Sequence, residues 1–315
     1  MKIKHTRRLL KTPFIKNKIK ASRKIILPGF EGSSLYAVSK LFFRGITDGA
    51  LTMRAASLSF SFFTALFPSI IFLFTLIPYI PIPDFKDFLF NLMQTVLPKA
   101  AFEGAKDTII DIIKNPHGGL LSFGFISALL FSTNGFSSMI QSFNETFHTI
   151  ETRSFLQQRL VALAMVIIST ILISLAIALI IVAEVVATQY IHTNYVSFFL
   201  IHLSKFIILI LLCFCFISFN YYLGPKQKQG LKFFSPGSIL ATFLILVATL
   251  VFAYYVNNFG SYNRLYGSIG ALLIVMLWIY IVSLILLIGF DLNVSITIAH
   301  KKLKEERKVL QKRAK

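Results

Sequence analysis

Six long apolar runs separated by short polar stretches dominate the chain, at residues 55–79, 119–141, 160–190, 198–222, 236–256 and 268–292. A helix needs about 20 residues to cross the roughly 30 Å hydrocarbon core of a bilayer, and every run meets that length. Helices also satisfy their own amide and carbonyl groups in a medium that offers no water. The pattern therefore predicts an all-α, polytopic integral membrane protein with six transmembrane helices. Residues 34–299 form its membrane domain, between an N-terminal arm (1–33) and a tail (300–315).

The connections carry a second kind of pattern. In 34–50, Leu35, Val38, Leu41 and Phe42 recur on one side, which predicts an interfacial helix leading into the first span. Residues 85–115 read as two further amphipathic helices separated near Pro98. Within the spans, interruptions stand out. Ser57, Ser61 and Ala65 recur every four positions, a stripe that permits close helix contact. Pro68 removes a backbone donor near the middle of the first span, so it acts either as a packing kink or as a hinge. Asn134 and Gly135 interrupt the apolar run of the second span, where their burial would mean helix packing or else a polar pathway, and Gly237, Ala241 and Ala248 give the fifth a small-residue face for packing in a bundle.

Charge orients this pattern. The chain holds 32 Lys and Arg against 13 Asp and Glu, a formal net charge of +19, with 56% hydrophobic residues and a mean hydropathy of +0.73 over 315 residues. Of the 32 cations, 26 fall in residues 1–54, 142–159, 223–235 and 293–315, which share one side of a six-span topology. Local Lys and Arg bias places that side in the cytoplasm, with both termini. In a soluble protein this charge would suggest nucleic acid; here topology and contact with anionic headgroups account for it, and no dedicated nucleic-acid partner is expected. Cys213 and Cys215 share one apolar helix two residues apart, so they face apart and specify no disulfide.

A few polar groups lie within or beside the spans. Glu184 sits near the outer end of the third, and His202 and Lys205 sit near the outer end of the fourth. They can form a structural pair, line a solute or ion route, or be exposed at the span ends. Asp291 lies near the inner end of the sixth span, with Asn293 two residues on, and Arg54 opens the first span on the same side. A buried acid there can hold helices together, accept a substrate cation or exchange a proton. The outer loop Asn257–Gly267 carries Tyr262, Asn263, Arg264 and Tyr266, which can meet a headgroup or solute, or anchor the loop at headgroup depth. Phosphate-cradling glycine loops, zinc-binding helix motifs and paired catalytic carboxylates are absent from the sequence, so no enzyme and no cofactor is expected.

Two blocks carry a family likeness. One is AASLSFSFFTALFPSIIFL (Ala55–Leu73), and the other runs from Ser235 to Asn293, where YGSIG, LWIY and LIGFDLN follow at fixed spacing. On these the chain resembles the YihY/BrkB family of bacterial inner-membrane proteins, whose members are also labelled ribonuclease BN-like. The likeness covers about residues 36–300 and implies a six-helix protein of the bacterial inner membrane. Family members often carry glutamate where this chain has Asp291. Read together, the residues and the resemblance point to a transporter or translocation factor for a lipid, amphiphile or small solute. The alternative is a non-transporting envelope organiser that retains lipid or another membrane protein through its basic arms.

Overall fold

The computed structural model describes residues 22–48, 50–79, 115–146, 153–190, 195–226, 231–258 and 268–313, together with residues 107, 110 and 111. Among these are seven α-helices: α1 (Leu35–Asp48), α2 (Leu51–Leu76), α3 (Gly118–Thr146), α4 (Phe155–Tyr190), α5 (Tyr195–Leu223), α6 (Pro236–Asn258) and α7 (Ser268–Arg313). Helices α2 to α7 are each long and apolar enough to cross a membrane. The chain is an integral membrane protein.

The six spans form a closed ring in chain order. Each packs on the next, and α7 returns to α2 while also touching α3. The shared core contains Ala55, Leu58, Met139, Ile140, Phe143, Met165, Ile217, Tyr221, Leu287 and Phe290, all nearly inaccessible. Only 11–28% of the residues in each apolar window are buried inside the protein. The remaining faces present side chains such as Phe123, Leu160, Ile171, Leu211, Phe243 and Leu250 outward. In water that much exposed hydrocarbon would drive aggregation; against acyl chains it costs nothing.

Helices α6 and α7 approach backbone to backbone. A Cβ built on Gly237 would stand 2.1 Å from the carbonyl oxygen of Gly289, and one built on Gly289 would stand 2.7 Å from Cβ of Ala241. Glycine is required at both positions so that the backbones can touch. This crossing uses two of the three small residues expected on the fifth span, with Ala248 partly buried beside the same core.

Three sequence expectations change in the fold. The Ser57–Ser61–Ala65 stripe is not the contact face of α2. Ser57 is exposed, and the buried side runs through Ala55, Leu58, Ser59 and Ala65. Ser61 instead bonds the carbonyl of Ser57 on its own helix at 3.0 Å, which removes its need for a neighbour. Asn134 is also exposed, where its side-chain oxygen accepts from Arg159; only Gly135 is buried, against the ring of Phe62. Finally, α7 does not stop at the membrane edge. Its 46 residues continue without interruption into the basic tail, a length of about 69 Å at 1.5 Å per residue. No glycine or proline after Gly289 ends it, and Lys and Arg are good helix formers. The two amphipathic helices expected over 85–115 fall almost wholly outside the described residues.

On the face carrying the α7 tail, residues 22–34 make a hook. Gly29, Glu31 and Gly32 have left-handed backbones, with φ of 85°, 50° and 79°. The hook is tied down by Lys232–Glu31 at 2.9 Å, by the ring of His300 against the carbonyl of Glu31 at 2.7 Å, and by buried Phe30. Helix α1 then packs along α7, with Val38 buried against Ile296 and Ala299.

Candidate functional site

Asp291 and Arg54 meet at the basic face of the ring. Arg54 Nη2 stands 3.6 Å from Asp291 Oδ2, and their side chains are 8% and 1% exposed. Arg54 Nη1 also donates to the carbonyl of Ser142 at 2.9 Å and to Thr146 Oγ1. One guanidinium therefore joins the start of α2, the end of α3 and the middle of α7. Helix α1 covers the acid from the other side, since a Cβ on Gly45 would lie 3.9 Å from Asp291 Oδ2. Removing two charges from water is costly, and only tight pairing with further hydrogen bonds compensates.

Above this pair lies an aromatic layer. Phe143 and Phe290 stack with centroids 4.1 Å apart, and Tyr221 meets each ring edge-on at 5.6 and 5.5 Å. The Tyr221 hydroxyl donates to the carbonyl of Leu286 at 2.6 Å, which anchors α5 to α7. Polar ties surround the layer. Asn293 accepts from the Gly237 amide at 2.8 Å and donates to Ser235 Oγ at 2.9 Å, capping α6 from α7. Arg153 donates to the carbonyls of Leu223, Gly224 and Pro225, which closes the end of α5. Burial lowers the pKa of Arg153 from its ordinary value. The Lys226 amide donates to Asn144 Oδ1 at 3.0 Å, joining α3 to the same corner.

Beyond the aromatic layer, towards the middle of the spans, the ring encloses a cavity of about 390 Å³. Its wall is largely apolar, with Phe62 and Leu66 of α2, Phe136 and Met139 of α3, and Trp278 and Leu286 of α7. Five hydroxyls interrupt it, from Ser69, Ser132, Ser169, Thr170 and Ser283. Thr170 and Ile173, on the α4 edge, are exposed, so the cavity opens sideways there. Val282, Leu286 and Phe290 stand at four-residue steps on α7, and Met139 and Phe143 do so on α3. The cavity floor and the aromatic layer are thus successive turns of the same two helices.

The other residues singled out in the sequence are distributed differently. Pro68 lies inside α2, which continues to Leu76 without a break, so it does not divide the helix. Glu184 is on α4, and His202 and Lys205 are on the neighbouring α5, but their side chains lie outside the described residues. Tyr262, Asn263, Arg264 and Tyr266 lie wholly outside them. Among the described residues no group of three or more His, Cys, Asp or Glu is placed to hold a metal ion. Arg153 and Arg159 did not emerge from the sequence reading. Both sit where a loop enters a span, and Arg159 lies within α4 because that helix begins at Phe155, about one turn before its apolar run.

Comparison with known proteins agrees with this architecture. A protein of Bacillus subtilis named "Putative ribonuclease-like protein YfkH" is 28% identical over 259 residues, which covers 80% of this chain and 90% of that protein. A "UPF0761 membrane protein" of Xanthomonas campestris is 35% identical over 77 residues, 24% of this chain and 18% of that one. Another, from Vibrio campbellii, is 33% identical over 76 residues, 24% of each chain. No solved structure matches. Residues 42–314, which include all six spans and the charged pair, match the family described as Virulence factor BrkB, and the chain belongs to that family.

Proposed function

We propose that this protein moves an amphiphile, of the size and chemistry of a membrane lipid, through the ring of six spans in the bacterial inner membrane. The cavity between α2, α3, α4, α5 and α7 carries this reading. Its volume of about 390 Å³ falls within the range of ligand pockets, and an apolar wall with a few hydroxyls suits an acyl chain beside a polar linkage. Its place near the middle of the spans is where transporters commonly hold their cargo.

In this mechanism the cargo enters sideways past Thr170 and Ile173. The aromatic layer and the Arg54–Asp291 pair form the closed end. Opening that end separates α2 and α3 from α7, which breaks the pair and unstacks Phe143 from Phe290. Asp291 therefore acts as a latch and not as a cargo ligand, because it is 1% exposed and lies behind three aromatic rings.

The test is translocation of fluorescent lipids by the purified protein in bilayer vesicles. Filling the cavity with Ser169→Phe or Ser283→Leu is expected to slow movement by about tenfold, the weight of some 1.4 kcal/mol of lost fit. Asp291→Asn in the same assay is expected to loosen the closed end and raise unselective movement. Equal rates for wild type and both cavity-filled variants would exclude the cavity as the route. Absence of protein-dependent movement across anionic and zwitterionic lipids would remove the transport reading itself.

A further inference from the structure

A second cavity lies on the basic face, outside the ring, where the hook, α1 and the α7 tail meet. Its volume is about 510 Å³. Four cations line it: Arg23 from the hook, Lys40 and Arg44 from α1, and Lys302 from α7, against one acid, Glu306. Among the described residues neither Lys40 nor Lys302 makes an ion pair, with Glu306 or with any other acid. Three separate chain segments thus converge cations on one space and leave it with a surplus of positive charge. The like charges repel, so such convergence costs stability unless something neutralises it.

The donors in the wall are built for an anion. Ser34 caps α1, with its Oγ taking the Ala37 amide at 3.3 Å, so the cavity meets the positive end of a helix. Ser33, beside it, is 2% exposed and lines the same space, and among the described residues its hydroxyl has no hydrogen-bond partner. A buried hydroxyl without a partner is costly, and a ligand oxygen would satisfy it. Arg23 is held in place with its guanidinium 5.0 Å from the centre of the Tyr36 ring.

The rim identifies the source of the anion. Ile26 of the hook lines the cavity and is 59% exposed, its chain neighbours Ile25 and Leu27 are 44% and 40% exposed, and Phe43, next to Arg44 on α1, is 64% exposed. A site for free phosphate has no use for this hydrocarbon, whereas a lipid phosphate arrives with acyl chains beside it. We propose that the hook, α1 and the α7 tail form a binding site for the headgroup phosphate of an anionic phospholipid. The site is separate from the cavity within the ring, and it stands whether or not the protein moves lipid.

Native mass spectrometry of the full chain from mixed micelles tests this with matched dioleoyl-phosphatidylglycerol and dioleoyl-phosphatidylethanolamine. Wild type is expected to retain the anionic lipid selectively, and Lys40→Gln with Lys302→Gln to lose about tenfold of that retention. Lys304→Gln with Lys308→Gln removes the same amount of charge from α7 outside the cavity and is expected to leave retention within about twofold. Equal loss in both pairs would reduce the effect to general surface charge and overturn the site. So would lack of preference between the two lipids, or full displacement by millimolar inorganic phosphate. A photoactivatable phosphatidylglycerol on wild type answers the same question should the variants not fold. Crosslinks in residues 23–44 and 299–306 are expected, and their absence there overturns the proposal.

Discussion

At the scale of single residues, the molecule is decided by a few buried polar groups that tie helices together. Arg54 and Asp291 are the clearest pair. Replacing Arg54 by Met leaves a carboxylate buried without its cation, a loss of about 3–5 kcal/mol in cases of this kind. Arg54→Met with Asp291→Leu removes both charges and is expected to recover most of the loss, which a double-mutant cycle on unfolding in detergent measures. A double variant no better than Arg54→Met alone would show that the arginine acts through Ser142 and Thr146 and not through the acid. The sequence places these two residues at the same end of their spans by counting alone, but not at 3.6 Å. It gives no sign of Arg153, because the carbonyls that it bonds belong to the last residue of α5 and the two that follow, and main-chain acceptors leave no trace in side-chain pattern. Gly237 and Gly289 mark the opposite case. Small residues are visible in the sequence, and an added methyl at either meets backbone that cannot yield. Gly289→Ala is therefore expected to cost at least 1–3 kcal/mol, as overpacking generally does, read as a lower melting temperature.

At the scale of elements, hydropathy predicts the six spans well because lipid rewards apolar length whatever the neighbours. It marks their ends poorly because polar side chains enter a span when they have partners. Helix α2 starts four residues before its apolar run, since Arg54 is neutralised by Asp291. Helix α7 outruns its own by some twenty residues, since a charged helix in water is still a helix. The stripe of Ser57, Ser61 and Ala65 misleads for a related reason: a serine that bonds its own helix can face lipid. Helix α1 shows amphipathicity read correctly as an element, while its partner was invisible. Its apolar side lies on α7, with Val38 only 1% exposed. Val38→Asp places a charge in that contact and is expected to release α1. Trypsin should then cut at Lys40 and Arg44 several times faster, while the spans remain folded. Unchanged cleavage would mean that α1 is held by its covalent neighbours and not by this face.

At the scale of the whole molecule, ring closure and charge asymmetry follow from different forces. Closure of α7 onto α2 comes from packing, and the close Gly237–Gly289 approach and the Arg54–Asp291 pair both lie at the same end of the ring. That end also bears the hook, the α1 cations and the α7 tail, so the end of the bundle tied in this way is also its most positive. Positive charge resists translocation during insertion, and 26 of 32 cations on one side give a strong bias. This face is therefore expected to lie in the cytoplasm, with Asp111 on the opposite side. The measurement uses a chain with Cys213→Ala and Cys215→Ala, into which Lys301→Cys or Asp111→Cys is introduced. In right-side-out spheroplasts a membrane-impermeant maleimide is expected to label the Asp111→Cys chain at once and the Lys301→Cys chain only after lysis. The reverse order would turn the bundle over. The proposed headgroup site would then face the outer leaflet, and the latch that we propose for Arg54 and Asp291 would close the outward end of the proposed route instead of the inward one.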